Sequence, residues 1–423
     1  MRSYLLGASV IAFASVFACS STSGTSGFGS DGGSGSGGSG GSGSGGSGSG
    51  SSGGSGSGSI GGTINGSGSG GTSGDGGFVC APNPANYDIP GNNCDDDDDG
   101  KVDNVTVCDN GTMPPANLSS AGTAADMMAA LGLCQVADST HWGVVSATYT
   151  NGHTQSGAGP SNFSQQHGTL ATFGSVIKPR EGSLLGALSS GSATATDSDT
   201  GPQFKGGKNG MQGGFGGAGD VPSGFPAASK GCPTLLAEVY DVIDVKVQLK
   251  VPANAKGFSF DFDFWSGEWP DYVCSTYNDS FIAYLTSKAF NSGSPDNISF
   301  DTNGNPLSVD NNFFQSCTAG AQTGCQGSTT ATATCSLGTS ELAGTGFDDP
   351  LQAYCGSTQS TSGGATSWLT STAPAKPGET LSIEFIIWDT GDWNYDSSVL
   401  LDNWVWQPQV VPATPVTQPS PPK

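Results

Sequence analysis

Residues 243–251 alternate Ile243, Val245, Val247, Leu249 and Val251 with Asp244, Lys246, Gln248 and Lys250. A Pro252-Ala253-Asn254 turn and Gly257 follow, and then Phe258, Phe260, Phe262 and Phe264 alternate with Ser259, Asp261 and Asp263. Side chains of a strand point to opposite faces in turn, so apolar residues at period two mark a half-buried strand. The stretch therefore predicts two antiparallel strands joined by a turn, with the acids and lysines facing outward. Further strands are predicted at 142–149, 170–177, 281–285, 381–388 and 399–406. They are linked by turns rather than helices, and that arrangement gives antiparallel sheets. One helix is expected near residues 123–134, where Ala124, Met127, Met128 and Leu131 recur at helical spacing between a Thr123 N-cap and a Gly132 stop. The expected fold is mainly β, an antiparallel β-sandwich of jelly-roll type with long disulfide-bearing loops. Two Gly-, Ser- and Thr-rich insertions, 201–229 and 303–367, exceed ordinary connections.

The core-forming part starts late. Met1 and Arg2 precede an apolar run from Tyr4 to Phe17, which has the size of a signal-peptide core and is too short for a membrane span. Val16-Phe17-Ala18-Cys19 resembles a bacterial lipobox, which implies cleavage after residue 18 and a lipid on the Cys19 thiol. Several acyl chains at about 0.8 kcal/mol per buried CH₂ would hold the protein to a membrane. Ser20 after the cysteine points to the outer membrane of a Gram-negative cell, with the remainder displayed at the surface. Residues 20–77 are nearly all Gly and Ser, and such a disordered coil spans about 40 Å on average. The expected organisation is a signal peptide (1–18), a lipidated cysteine and tether (19–77), a small acidic segment (78–110), a β-sandwich (111–406) and a Pro-rich tail (407–423).

A net charge of −23 and a pI near 4.1 exclude nucleic acid as a partner, since no basic patch offsets the repulsion. The chain has 11 cysteines. Setting Cys19 aside leaves Cys80, Cys94, Cys108, Cys134, Cys232, Cys274, Cys317, Cys325, Cys335 and Cys355. An even set in an exported chain predicts disulfides, whose pairing the spacing leaves open. Zinc fits poorly, because no two cysteines are close enough for a knuckle and the chain has 3 histidines.

Asp95-Asp96-Asp97-Asp98-Asp99-Gly100 has the alternate carboxylates of a calcium loop, with the Lys101 carbonyl and Asp103 as further ligands. Position twelve is Thr106 rather than Glu, so the loop is not a complete EF-hand and is closer to the shorter calcium repeats of extracellular proteins. Calcium is the one cofactor expected; a solvated acidic loop is the plainer alternative.

An ordered series of motifs extends along the sandwich. After the Phe-rich strand come Glu268-Trp269-Pro270-Asp271-Tyr272-Val273-Cys274 and Asn278-Asp279-Ser280-Phe281. Asn297-Ile298-Ser299-Phe300 and Pro377-Gly378-Glu379-Thr380 follow. The series closes with Trp388-Asp389-Thr390-Gly391-Asp392 and Asp396-Ser397-Ser398-Val399-Leu400. This set, spanning roughly 142–406, resembles the choice-of-anchor L family of bacterial surface proteins, departing from its commonest form at Gly267 and Trp269. The resemblance implies an extracellular β-sandwich and carries no catalytic residues with it.

Glu268, Asp279, Asp389, Asp392 and Asp396, with Asp271 and Asp402 nearby, form either a second metal or ligand patch or a set of turn caps. Trp265, Trp269, Tyr272, Tyr277, Trp388, Trp393, Tyr395 and Trp404 offer faces for stacking on sugars or for packing the core. His141, His153 and His167 belong to no catalytic motif, and no pair of acids is singled out as a glycosidase pair would be. The expected function is a non-catalytic, lipid-anchored surface module that binds glycan, matrix or a partner cell. A structural coat protein and a polysaccharide hydrolase are the alternatives.

Overall fold

The computed structural model describes residues 80–109, 122–155, 163–195, 217–327, 330–348 and 363–422. The leader, Cys19, the tether and Cys355 lie outside these residues. Among the described residues no helix is long and apolar enough to cross a membrane.

Among the described residues the chain forms one short α-helix, α1 (Ala124–Ala130), and fifteen strands: β1 (Gly143–Thr150), β2 (His167–Leu170), β3 (Leu185–Ser189), β4 (Val239–Lys250), β5 (Gly257–Ser266) and β6 (Ser280–Thr286) come first. The short strands β7 (Asp296–Asn297), β8 (Leu307–Ser308), β9 (Gln322–Thr323), β10 (Ala331–Thr332) and β11 (Gly364–Ala365) lie in or beside the long insertion. The last four are β12 (Leu369–Pro374), β13 (Thr380–Thr390), β14 (Ser397–Gln407) and β15 (Val416–Pro419). Thirteen of them build two large antiparallel sheets, while β9 and β10 pair with each other. One runs β1-β4-β13-β6-β7, with β8 on β6; the other runs β15-β12-β5-β14-β3-β2, with β11 on β5.

The apolar alternation of β4 and β5 meets across the space between the sheets. Val245, Val247 and Leu249 face Phe258, Phe260, Phe262 and Phe264, with Phe385, Ile387, Val399, Leu401, Trp404 and Trp406 completing the core. Aromatic edges interlock there, as in Phe260 against Phe385 at 5.1 Å and Phe258 stacked on Trp404 at 4.3 Å. Thr123 caps α1 through a capping box with Asp126, and Gly132 takes the left-handed conformation after the helix.

The outward faces are not left to solvent. Trp265 and Leu400 on the outer face of the second sheet are covered by Phe173, Ile177, Leu342 and Phe347. Val242, Ile282, Ile386 and Trp388 on the other sheet are covered by Val221 and Phe225. Every residue of β5 is consequently buried. This overturns the expectation that Asp261 and Asp263 face outward to water. Asp261 instead meets the guanidinium of Arg180, Nε to Oδ2 at 2.9 Å, while Asp263 accepts from Thr366 Oγ1 at 3.3 Å. The long insertions are lids on the sandwich, so the half-buried strand of the sequence is buried on both sides.

Two further differences concern elements. The 170–177 segment is not a strand: β2 stops at Leu170, and Phe173 and Ile177 pair with each other across a turn. The β3 strand, absent from the sequence expectation, carries the Leu185–Ser189 ladder beside β14 instead. Within 407–423, set aside as a tail, Val416–Pro419 pairs with β12. Proline is tolerated there because the strand lies at a sheet edge, where a missing donor costs no ladder bond.

Among the described residues, disulfides link Cys80–Cys94, Cys108–Cys134, Cys232–Cys274 and Cys317–Cys335. Cys325 is disulfide-bonded as well.

Candidate functional site

The acidic segment is held against the sandwich by a backbone clamp. Asn254, in the β4–β5 turn, accepts from the Tyr87 amide at 2.9 Å and donates to the Tyr87 carbonyl at 2.8 Å. The Tyr87 ring packs edge-on to Trp142 at 5.7 Å, and the Cys108–Cys134 bridge ties the far end of the segment to the helix region. A cavity of about 230 Å³ opens at this seam, lined among others by Tyr87, Asp88, Asp97, Asn104, Gln135 and Trp142.

The five consecutive aspartates divide into two sets. Asp96 is buried and accepts from the Ile89 amide at 3.1 Å and from Asn92 Nδ2 at 2.7 Å. Asp88, also buried, accepts from the amides of Asp96 and Asn104 at 3.1 and 2.5 Å. These two hold the turn. Asp95, Asp97 and Asp99 emerge on the other side, with one carboxylate oxygen each, all within 4.8 Å of one another. Left-handed Asp98 and Gly100 make the tight turn that brings them together. Asp95 accepts from the amides of Asp99 and Gly100 at 3.1 and 3.0 Å. Burial pushes the Asp97 carboxyl up, with the charges of Asp99, Asp88 and Asp95 adding to it. Hydrogen bonds from Asn104 and Lys101 hold Asp99 down. Lys101 stays beside the trio, Nζ to Asp99 at 3.4 Å. Asp103 does not join it: its carboxylate accepts from the amides of Asn92 and Asn93 at 3.0 and 3.2 Å.

The late acids meet at one end of the sandwich. Asp279 precedes β6, Asp389 ends β13, Asp396 precedes β14, and Glu268 follows β5; all four are buried. A bulge between Ile387 and Asp389 shifts the register against β4, and such irregularities re-aim side chains. Asp279 is well partnered, accepting from the Thr390 amide at 3.1 Å and from Ser397 Oγ at 2.8 Å. Glu268 accepts from the Asp279 amide at 3.3 Å. Neither Asp389 nor Asp396 has a hydrogen bond of good geometry on either carboxylate oxygen, though Ser190 and Asp279 lie close enough to interact with Asp389. Burial pushes Asp389 well above the usual carboxylate range, with the charges of Asp279, Asp396 and Asp241 adding. Burial and the charges of Asp241 and Asp279 do the same to Asp396, and Asp279 is pushed up to about 7. Asp392 stays in the turn at the rim, accepting from the Asn394 amide at 2.9 Å. Sequence reasoning missed Asp241 on β4, which no motif separates from the other acids. No three of these late carboxylates converge as tightly as the loop trio.

Of the candidate aromatic residues, Trp265, Trp269, Trp388 and Trp404 are buried in packing roles. Trp393 is 45% exposed and lies edge-on to Tyr240 at 5.3 Å. Tyr272 packs against Tyr277 at 5.9 Å and against Tyr395 at 5.7 Å, so half-buried aromatic rings rim the acidic end. The histidines serve as pairing and packing groups: His141 meets Asp138 at 2.8 Å, His153 meets Glu384 at 2.8 Å, and His167 stacks on Tyr149.

Residues 245–404 match the family model described as the choice-of-anchor L domain. The chain carries a choice-of-anchor L domain. The match starts within β4 and ends within β14, a narrower span than 142–406. The choice-of-anchor L domain thus contains Glu268, Asp279, Asp389, Asp392 and Asp396, while Asp241 and the Asp95–Asp99 loop lie before it. It is a surface-associated bacterial module. No curated protein and no solved structure gives a match to the chain.

Proposed function

We propose that this chain is a lipid-anchored surface protein whose calcium-stabilised sandwich binds glycan, matrix or a partner cell without catalysing a reaction. The observation that carries the binding role is the aromatic rim, in which exposed Trp393 stands with Tyr240, Tyr272, Tyr277 and Tyr395 beside Asp392. Flat rings with a neighbouring carboxylate suit a sugar, whose apolar face stacks while its hydroxyls donate.

Calcium at the loop is supported by the convergence of Asp95, Asp97 and Asp99, hard oxygen ligands that repel one another unless a cation lies between them. Tyr87 is clamped to Asn254 of the sandwich and its neighbour Asp88 holds the Asp96 and Asn104 amides, so an ion in the loop stabilises the joint between segment and domain. The anchor is supported by the lipobox-like Val16-Phe17-Ala18-Cys19 and the Gly/Ser stretch after it. The outer membrane of a Gram-negative cell is the location this reading assigns.

The test is binding of the full-length protein to a glycan array and to whole cells. Binding that is lost on Trp393→Ala, with the thermal midpoint unchanged, is the expected result. Absence of binding in both assays, or binding indifferent to Trp393→Ala, refutes the aromatic-rim reading. Cys19→Ala is expected to release the protein from the membrane fraction, and retention there refutes the lipid anchor.

A further inference from the structure

The buried acids at the end of the sandwich pose a separate problem from the exposed loop. Asp389 and Asp396 are 1% and 0% exposed, and no donor reaches any of their four carboxylate oxygens in good hydrogen-bond geometry, with Ser190 and Asp279 the polar side chains beside Asp389. Buried polar groups are almost always satisfied, and a carboxylate without donors is among the costliest exceptions. No ion pair among the described residues brings a lysine or arginine to either one. Protonation does not resolve the difficulty, because a neutral carboxyl gains a donor that needs an acceptor while its other oxygen still lacks a donor. A proton on Asp389 shared with neighbouring Asp279, whose oxygens each accept one bond from Thr390 or Ser397, still leaves the other Asp389 oxygen and both Asp396 oxygens without a donor.

We infer that Asp389 and Asp396, flanked by Asp279 and Asp241, hold a divalent cation of the calcium class inside the fold. A cation supplies what the site lacks: it satisfies lone pairs that no donor reaches, and it neutralises acids gathered from three strand ends and β4. The surroundings are hard oxygen, with Ser190, Ser397 and Thr390 nearby and neither cysteine nor histidine among them, which suits calcium rather than zinc. Gly191 shows how closely the backbone is fitted to this spot. A Cβ there would lie 1.9 Å from Asp396 Oδ2, so any side chain would evict the carboxylate. The late acids lack a tight carboxylate trio, so most of the six to eight oxygens calcium requires are hydroxyl, backbone or water. Asp241 and Asp389 sit on one sheet and Asp396 leads into β14 of the other, so the ion joins the two sheets.

The site shares no residue with the Asp95–Asp99 loop, and the experiment separates the two. Full-length protein is stripped with chelator and re-equilibrated with calcium, and bound calcium per chain is measured by equilibrium dialysis. Two ions per wild-type chain are expected. The loop variant Asp95→Asn/Asp97→Asn/Asp99→Asn is expected to retain one. A loop variant that binds none overturns the inference. A wild-type chain that binds a single ion, kept in the loop variant, upholds it while refuting the loop. Adding Asp389→Asn/Asp396→Asn to the loop variant is expected to abolish the remaining ion, and an ion that stays overturns the assignment. Should that variant fail to fold, terbium replaces calcium in the loop variant alone. Trp388 bonds Thr390 beside the site, Nε1 to Oγ1 at 3.0 Å, and is placed to sensitise terbium emission that calcium competes away. No sensitised emission overturns the inference.

Discussion

Arg180→Met tests whether the second, covered face of β5 matters as much as the first. Arg180 is 9% exposed and Asp261 3%, and their 2.9 Å contact lies beneath the C-terminal strand. The guanidinium also donates to the Pro421 carbonyl at 2.9 Å through Nη2 and lies 5.8 Å from the centre of the Trp368 ring. Removing one member of a buried pair costs about 3–5 kcal/mol, because the other is left charged and uncompensated. Here Asp261 keeps neutral donors, Thr370 Oγ1 at 2.5 Å, Asn403 Nδ2 at 2.8 Å and Ser420 Oγ at 3.3 Å, so the lower part of that range is expected. The Arg180 amide retains its bond to Asp402 whatever the side chain. At about 2.1 cal/mol/K of unfolding entropy per residue over roughly 300 residues, about 3 kcal/mol lowers the thermal midpoint by about 5 °C. Guanidinium unfolding of Arg180→Met, Asp261→Asn and the double variant gives the coupling directly, with the double variant expected to recover more than half the loss. A loss below about 1 kcal/mol, or strictly additive single losses, would mean the pair acts like a solvent-screened surface contact and would refute the reasoning.

Other consequences can be measured on the same protein. Burial pushes Asp402 up to about 8, against partial opposition from the amides of Arg180, Asn403 and Glu181. The folded state then holds a proton that the unfolded chain releases near pH 4, so this contribution is fully present below that range. Stability is therefore expected to fall as pH rises from about 4 to about 8, and Asp402→Asn should flatten the slope in chemical-denaturation curves; an unchanged slope counts against it. Cys232→Ala/Cys274→Ala opens a closure with a sequence separation of 42, worth about 4 kcal/mol on loop entropy, and calorimetry should show a correspondingly lower midpoint. Phe260→Ala removes a fully buried ring between Phe262, Phe385 and Trp404 and is expected to cost about 3–5 kcal/mol, read by denaturant titration.

The two principal sheets were legible in the sequence because alternation reports directly which side chains share a face. Ile243 to Val251 and Phe258 to Phe264 need no tertiary information to be placed in strands. What covers the other face leaves no periodic trace. Phe173, Leu342 and Phe347 come from irregular segments, so nothing in the β5 pattern signalled that Asp261 and Asp263 would be enclosed. Among the acids, the alternate spacing at Asp95, Asp97 and Asp99 marks a convergence set by local backbone, and it formed as that spacing suggests. Asp103 left the set because its carboxylate found the Asn92 and Asn93 amides first. The late acids were noticed as a group through their motifs. Their burial depends on how four chain segments meet, which spacing does not encode, and Asp241 was invisible for the same reason.

The pairing of β15 with β12 has a consequence for how molecules meet one another at a crowded surface. An unpaired β12 would present a ladder of free amides and carbonyls, a template on which a neighbour could dock by adding its own strand. Occupation of that position by Val416–Pro419 of the same chain removes the template, and Pro415, Pro419, Pro421 and Pro422 deny a fresh one to any newcomer. Along this border a neighbour meets an edge interrupted by proline instead of a free β12 ladder, which disfavours docking by strand addition.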